Sequence, residues 1–194
     1  MLINFLPRVF GLCALLWLPT SSQAAAWGLD QLMSELAQTR YSHARFTEKK
    51  SIAILDQPVE SSGELFYSAP DRIEKRTLKP RYETMLVEGG VLTIERGRKR
   101  HRLQLQNYPE LAAFIDSIRG TLAGDRRALE RNYRLSLDGS VAQWTLQLLP
   151  IQPKMRAVVQ QIRVKGTRDQ VRSIDILQTD GDSALMLIDK PDAP

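Results

Sequence analysis

The sequence predicts a mainly β, α+β fold: a curved, incompletely closed antiparallel β-barrel covered by helices. Three observations carry that expectation. From Ser42 onward the chain falls into short segments in which apolar and polar residues alternate, the period of a strand with one buried face. Turn residues separate consecutive segments, as hairpins require. Three other stretches repeat at helical spacing, one near the start and two in mid-chain. Sequential hairpins with one apolar face each form an antiparallel sheet, and so many strands must curl to bury that face, leaving the helices to cover the concave side.

The first element is a leader. Residues 1–8 carry one positive charge, Arg8, and no acid, 9–18 are an apolar run, and Ser21 to Ala26 supply small residues for cleavage at 24–26. That is the layout of a secretory signal peptide, and the apolar run falls short of the roughly 20 residues of a spanning helix. The expected organisation is a leader over 1–24 and a single domain over 27–194. Cys13, the only cysteine, leaves with the leader, and one cysteine excludes a zinc cluster, a CxxC pair and an intrachain disulfide.

Leu29, Leu32, Met33, Leu36 and Ala37 then make one amphipathic helix over 30–40. Strands are expected over 42–55, Val59–Ser68, Arg72–Lys79, 82–88 and Val91–Arg96, with Gly89-Gly90 as a two-residue hairpin turn. A basic segment, 96–102, leads into a strand carrying Leu103 and Leu105. Pro109 opens a helix whose apolar face is Leu111, Phe114, Ile115 and Ile118 and which stops near Gly120. Asp125 caps a further helix carrying Leu129. Tyr133, Leu135 and Leu137 alternate with polar residues up to a turn at Asp138-Gly139, and Trp144, Leu146 and Leu148 answer them. Strands over 155–165, 171–178 and 183–188 complete the domain, separated by turns at 166–169 and 180–182.

Composition narrows the function. With 194 residues, 43% hydrophobic and 25% charged, the chain makes one globular domain whose core needs neither metal nor disulfide. Its 27 basic and 22 acidic residues give +5; removing the leader takes Arg8 and no acid, leaving 26 against 22, or +4. An exported chain of this charge is not expected to bind nucleic acid. Arg98, Lys99, Arg100 and Arg102 read as a solvated loop with charged strand ends, or as a contact for lipid headgroups or an acidic partner. No chemistry assembles around His43 or His101, since no GxSxG elbow precedes them, and there is no phosphate-cradling glycine loop. Asp180-Gly181-Asp182 resembles the start of a calcium loop, but its twelfth position is Pro191. No enzyme activity, metal or cofactor is expected.

Four motifs come in series: Phe46-Thr47-Glu48 after the first helix, Gly63-Glu64-Leu65-Phe66-Tyr67-Ser68-Ala69-Pro70, Met85-Leu86-Val87-Glu88-Gly89-Gly90, and Leu148-Leu149-Pro150. Their order and spacing resemble the periplasmic lipoprotein carrier LolA and its relatives over nearly the whole mature chain. The resemblance implies a half barrel with a helical lid around an apolar cavity for acyl chains. It also implies a role: a monomer in the periplasm that carries a lipoprotein or other lipid-linked cargo from an inner-membrane ABC-type machinery to an outer-membrane acceptor. The expected cavity residues are Leu65, Tyr67, Ile73, Leu86, Trp144, Leu146 and Leu148 on the inner face, with Phe114 and Ile118 on the lid. The sequence departs from the family at the lid-latch arginine, replaced by Ala69, at aromatic positions near Ile73 and Lys75, and at a tryptophan position near Ile94. Those departures point to a relative with specialised cargo. The same inner-face residues would equally fill a closed core, and the same half barrel would serve a protein-interaction module in envelope sensing.

Overall fold

The computed structural model describes residues 27–191, so the expected leader, Cys13 included, lies outside the described residues. Eleven strands form one antiparallel sheet: β1 (Tyr41–Ser51), β2 (Val59–Ser68), β3 (Arg72–Lys79), β4 (Glu83–Glu88), β5 (Val91–Arg96), β6 (Lys99–Gln104), β7 (Tyr133–Ser140), β8 (Gln143–Pro150), β9 (Val159–Thr167), β10 (Gln170–Gln178) and β11 (Ser183–Asp189). Their order across the sheet is β6-β5-β4-β3-β2-β1-β11-β10-β9-β8-β7. The fold is thus two meanders zipped together where the first strand pairs with the last. Edge strands β6 and β7 do not pair with each other, so the curved sheet stays unclosed. Four helices accompany it: α1 (Leu29–Leu36), α2 (Pro109–Leu122), α3 (Arg126–Glu130) and the single turn α4 (Pro153–Arg156). The stretch holding α2 and α3 is the connection from one edge of the sheet to the other.

The strands carry the expected one-sided pattern where β8 buries Trp144, Leu146 and Leu148 and exposes Gln143 and Leu149. Gly89 and Gly90 form the β4–β5 turn, both at positive φ. The opposite, convex face is a cross-strand ladder of charge. In register order it reads Asp189, Arg45, Glu64, Arg76, Thr84, Glu95 and Arg100, from β11 to β6. Opposite charges facing across a sheet stabilise that register, and the row keeps this face in water.

Several expected boundaries move, each for a local reason. Helix α1 ends at Leu36 because Gln38 and Thr39 donate to Glu35 and Leu36, tightening the last turn before β1. Helix α2 runs past Gly120 to Leu122. Gly120 lies inside it because a side chain there would strike Leu129, its Cβ falling 2.8 Å from the leucine Cδ2. The stop is Gly124, at φ +63, where Gly124 N–H donates to Thr121 and Asp125 N–H to Gly120, a Schellman closure. Any Cβ at Gly124 would sit 2.0 Å from the Met33 carbonyl oxygen, so this turn also lets α2 dock against α1. Asp125 Oδ1 accepts from Ala128 N–H at 2.9 Å and caps α3. The β7–β8 hairpin continues through Gly139 to Ser140, and its turn falls at 141–142. Met155 belongs to α4, not to a strand, because Pro153 opens a helical turn there and β9 starts only at Val159.

Two cores result. The larger joins Leu32, Met33 and Leu36 of α1, Leu129 of α3 and Tyr133 of β7 to the inner faces of β8 and β9. The smaller joins Val87, Leu92 and Leu105 to Ile115 of α2. Helix α2 buries two hydroxyls, Ser117 and Thr121, which donate to the Phe114 and Ser117 carbonyls at 2.6 and 2.7 Å and need no outside partner. Tyr133, 2% exposed, donates its hydroxyl to the Ala113 carbonyl at 3.2 Å. Burial pushes its phenol up to about 12, although a hydrogen bond with Ser117 pulls the other way. The unfolded chain releases this proton near pH 10 and the folded one two units later, so stability falls as pH rises between those values. In alkaline titrations monitored by chemical denaturation, stability should drop by up to about 3 kcal/mol from pH 10 to 12, and Tyr133→Phe should remove that drop.

Candidate binding cavity

Between the two cores the sheet is not covered by packed side chains, and a cavity of about 1040 Å³ opens there. Its size lies at the top of the range of roughly 300–1,000 Å³ that holds drug-sized ligands. One wall is the inner face of β2 to β4, with Leu65, Tyr67, Ile73, Met85 and Val87. The other is β9 to β11, with Ile162, Val164, Ile174, Ile176, Met186 and Ile188. Residues of strands so distant in the sheet face one space only because the sheet is curved. The roof is α2, which turns Leu111, Phe114, Ile118 and Leu122 inward at helical spacing.

Of the residues singled out in the sequence, Leu65, Tyr67, Ile73, Phe114 and Ile118 line this space. Leu86 does not. It stands in register with Glu74 and Thr93, on the convex face, while Val87 pairs with Ile73 and points inward. Trp144, Leu146 and Leu148 lie on the inner face, but α1 and α3 cover that part of the sheet, so they are 1%, 0% and 0% exposed in the larger core. The Trp144 ring lies directly on Gly166, where a Cβ would be 2.2 Å from its Cζ2, and its indole N–H donates to the Arg168 carbonyl at 2.8 Å. Ala69 sits in the β2–β3 turn, donating its N–H to the Arg40 carbonyl at 2.8 Å. Arg98 is in the β5–β6 turn, while Lys99, Arg100 and Arg102 lie on edge strand β6, all exposed. Arg100 pairs with Glu95. Exposed charge along an edge strand blocks pairing with other chains, a structural use for the basic segment.

The remaining candidates serve the fold. His43 stacks on Phe66 at 4.4 Å and reaches Glu64 at 3.3 Å, and Arg76 covers the other contact of Phe66 at 4.3 Å. Asp182 Oδ1 accepts from Ala53 N–H at 2.8 Å, which ties the β10–β11 turn to the end of β1. Among the described residues no cluster of His, Cys, Asp or Glu is placed to hold a metal ion, and no helix is long and apolar enough to cross a membrane.

A family model for LolA-like outer membrane lipoprotein carrier proteins matches residues 21–190. The chain belongs to this family. No curated protein matches it. Among solved structures this LolA-like chain is similar to a LolA superfamily protein from Nitrosomonas europaea, with 10% identity over 87% of this chain and 96% of that one and a TM-score of 0.43. It is also similar to a chain of the Pseudomonas aeruginosa MucA/MucB complex, with 15% identity over 84% and 56% of the two chains and a TM-score of 0.46. LprF from Mycobacterium bovis aligns over 86% and 93% with 10% identity and a TM-score of 0.35.

Lining and core residues of this LolA-like sheet respond differently to truncation. Leu148→Ala should cost about 2–5 kcal/mol in chemical denaturation, because it empties a packed site. Ile188→Ala, beside space that is already open, should cost about 1 kcal/mol or less. Equal losses would mean that the cavity wall is packed like the core.

Proposed function

We propose that the protein is a periplasmic carrier that shields the acyl chains of a lipoprotein or other lipidic cargo between the inner and outer membranes, without catalysing a reaction. The observation that carries this reading is the apolar cavity of about 1040 Å³ roofed by α2, in a chain whose family is named for lipoprotein carriage. Each methylene moved from water into such a space contributes roughly 0.8 kcal/mol, so a chain of about fifteen methylenes supplies roughly 12 kcal/mol before the costs of ordering it. Residues 1–24 are then an export leader and 27–194 the carrier. The exposed basic residues of β6 and its turn suit an approach to anionic headgroups or an acidic acceptor, each adding on the order of 1 kcal/mol near such a surface.

Protein purified from a periplasmic extract should contain lipid by native mass spectrometry, and should bind a fluorescent fatty-acid probe. Ile118→Glu, which places a charge in the roof, should weaken probe binding by at least about tenfold. Absence of both lipid and probe binding overturns the carrier reading. The latch position gives a second test. Ala69→Arg, restoring the residue that the family resemblance expects there, should slow exchange of bound probe in stopped-flow measurements; an unchanged rate means that position 69 does not restrain the lid.

A further inference from the structure

The cavity wall holds one feature that a purely apolar guest does not need. Lys75 of β3 donates to Glu48 Oε2 at 2.6 Å, with the lysine side chain 19% and the glutamate 8% exposed. Ser61 Oγ donates to the same oxygen at 3.2 Å, and Lys50 Nζ lies 3.8 Å from it. Glu48, Lys50 and Lys75 all line the cavity, and the Lys75 ammonium also stands 4.7 Å from the centre of the Phe46 ring. Along the wall, Lys75 is flanked by apolar neighbours: its register partners are Leu65 and Met85, and Ile73 precedes it on the same face.

Burying an ion pair in an apolar wall gains little stability, since desolvation cancels most of the attraction and apolar residues of similar size do as well. A ligand gives the pair a use. Two ammonium groups converge on one carboxylate, so the cluster carries a local surplus of one positive charge. Glu48 supplies the counter-charge that lets Lys75 stay in an apolar wall, and Oε2 alone takes all three partners. Elsewhere on the lining, Arg172 donates to Thr167 and Gln170, and Asp182 accepts from Ala53.

We infer that the cavity selects an anionic amphiphile, with acyl chains along the apolar walls and a carboxylate or phosphate held by Lys75 and Lys50. This rests on the carrier reading and specifies its cargo. A charge-assisted hydrogen bond set in an apolar wall, once the guest has displaced water from it, discriminates strongly between an anion and an alcohol of equal chain length.

The test is displacement of the neutral probe N-phenyl-1-naphthylamine from the full mature protein by oleic acid, oleoyl lysophosphatidic acid and oleyl alcohol. At least one anion should bind about tenfold or more tightly than the alcohol, and the ratio of the two anions identifies carboxylate or phosphate as the preferred head. Lys75→Met should bring that anion to the level of the alcohol while leaving the alcohol within about twofold. Glu48→Gln, which removes the competing carboxylate, should leave anion binding as tight or tighter. Equal affinities for anions and alcohol in the unaltered protein overturn the inference and leave the carrier reading standing. Retained preference in a folded Lys75→Met protein overturns it as well, and if that variant does not fold, retained preference in the double variant Glu48→Gln, Lys75→Met, which leaves no unpaired buried charge, does the same. Binding of none of the three overturns the carrier reading itself.

Discussion

Helix α2 is the contact on which the rest of the molecule depends, because it is the element that touches both cores. Ala113 packs into the larger one and Ile115 into the smaller, and Phe114 reaches both. An eleven-stranded sheet is too wide for its four helices to fill. With α1 and α3 gathered over β7 to β9, the central strands keep an apolar face that only α2 bridges. The cavity is the space beneath that bridge. Its roof is attached at one end, by the Gly124 turn against α1, where no side chain fits, and by Gly120, which admits Leu129.

The two faces of the sheet handle charge in opposite ways. On the convex side, cations and anions alternate across the strands in a row, each half solvated and each opposite a partner. Such a row contributes modestly per pair, but it penalises any one-residue slip, which would turn the charges inward. On the concave side charge is confined mainly to the Glu48 cluster and the cavity rim. The same alternation that keeps one face wet therefore makes an inward-facing lysine conspicuous, since Lys75 takes a place where its neighbours in the wall are Leu65, Ile73 and Met85.

Strand positions were legible in the sequence wherever the two-residue period was clean. Leu65, Tyr67 and Ile73 alternate with polar or outward residues and line the cavity; Met85-Leu86-Val87 is apolar on both faces, so its parity is hidden, and the register with β3 decides it. Ile174 and Ile176 carried the same alternating signal and belong to the opposite wall, whereas Met186 and Ile188 stand in a continuous apolar run whose parity is hidden in the same way. Period alone cannot say which part of an inner face a helix will cover. Trp144, Leu146 and Leu148 have the right parity for a cavity, yet α1 lies over them, and that is decided by contacts between residues about a hundred positions apart. Gly120 shows the same limit on a smaller scale: it reads as the helix stop, yet the approach of Leu129 makes it a packing glycine, and the turn falls at Gly124 against Met33.

The size of the cavity bears on how a guest is held. In packed protein cores, residual void costs about 24 cal/mol per Å³, so a sealed, dry space of about 1040 Å³ would cost roughly 25 kcal/mol. That exceeds the whole stability of a typical domain, about 5–15 kcal/mol. The space therefore functions as one open to solvent or guest, and the sheet around it must stand on its backbone pairing and its two flanking cores. A guest that replaces water gains the transfer energy of its chains without repacking the wall. On the proposed carrier reading, release would require α2 to yield; it meets the cavity through apolar side chains, and it is anchored by its packing into the two cores and by the Gly124 turn. Carrying and releasing an amphiphile would in this way depend on one helix and two cores, with the central strands unchanged.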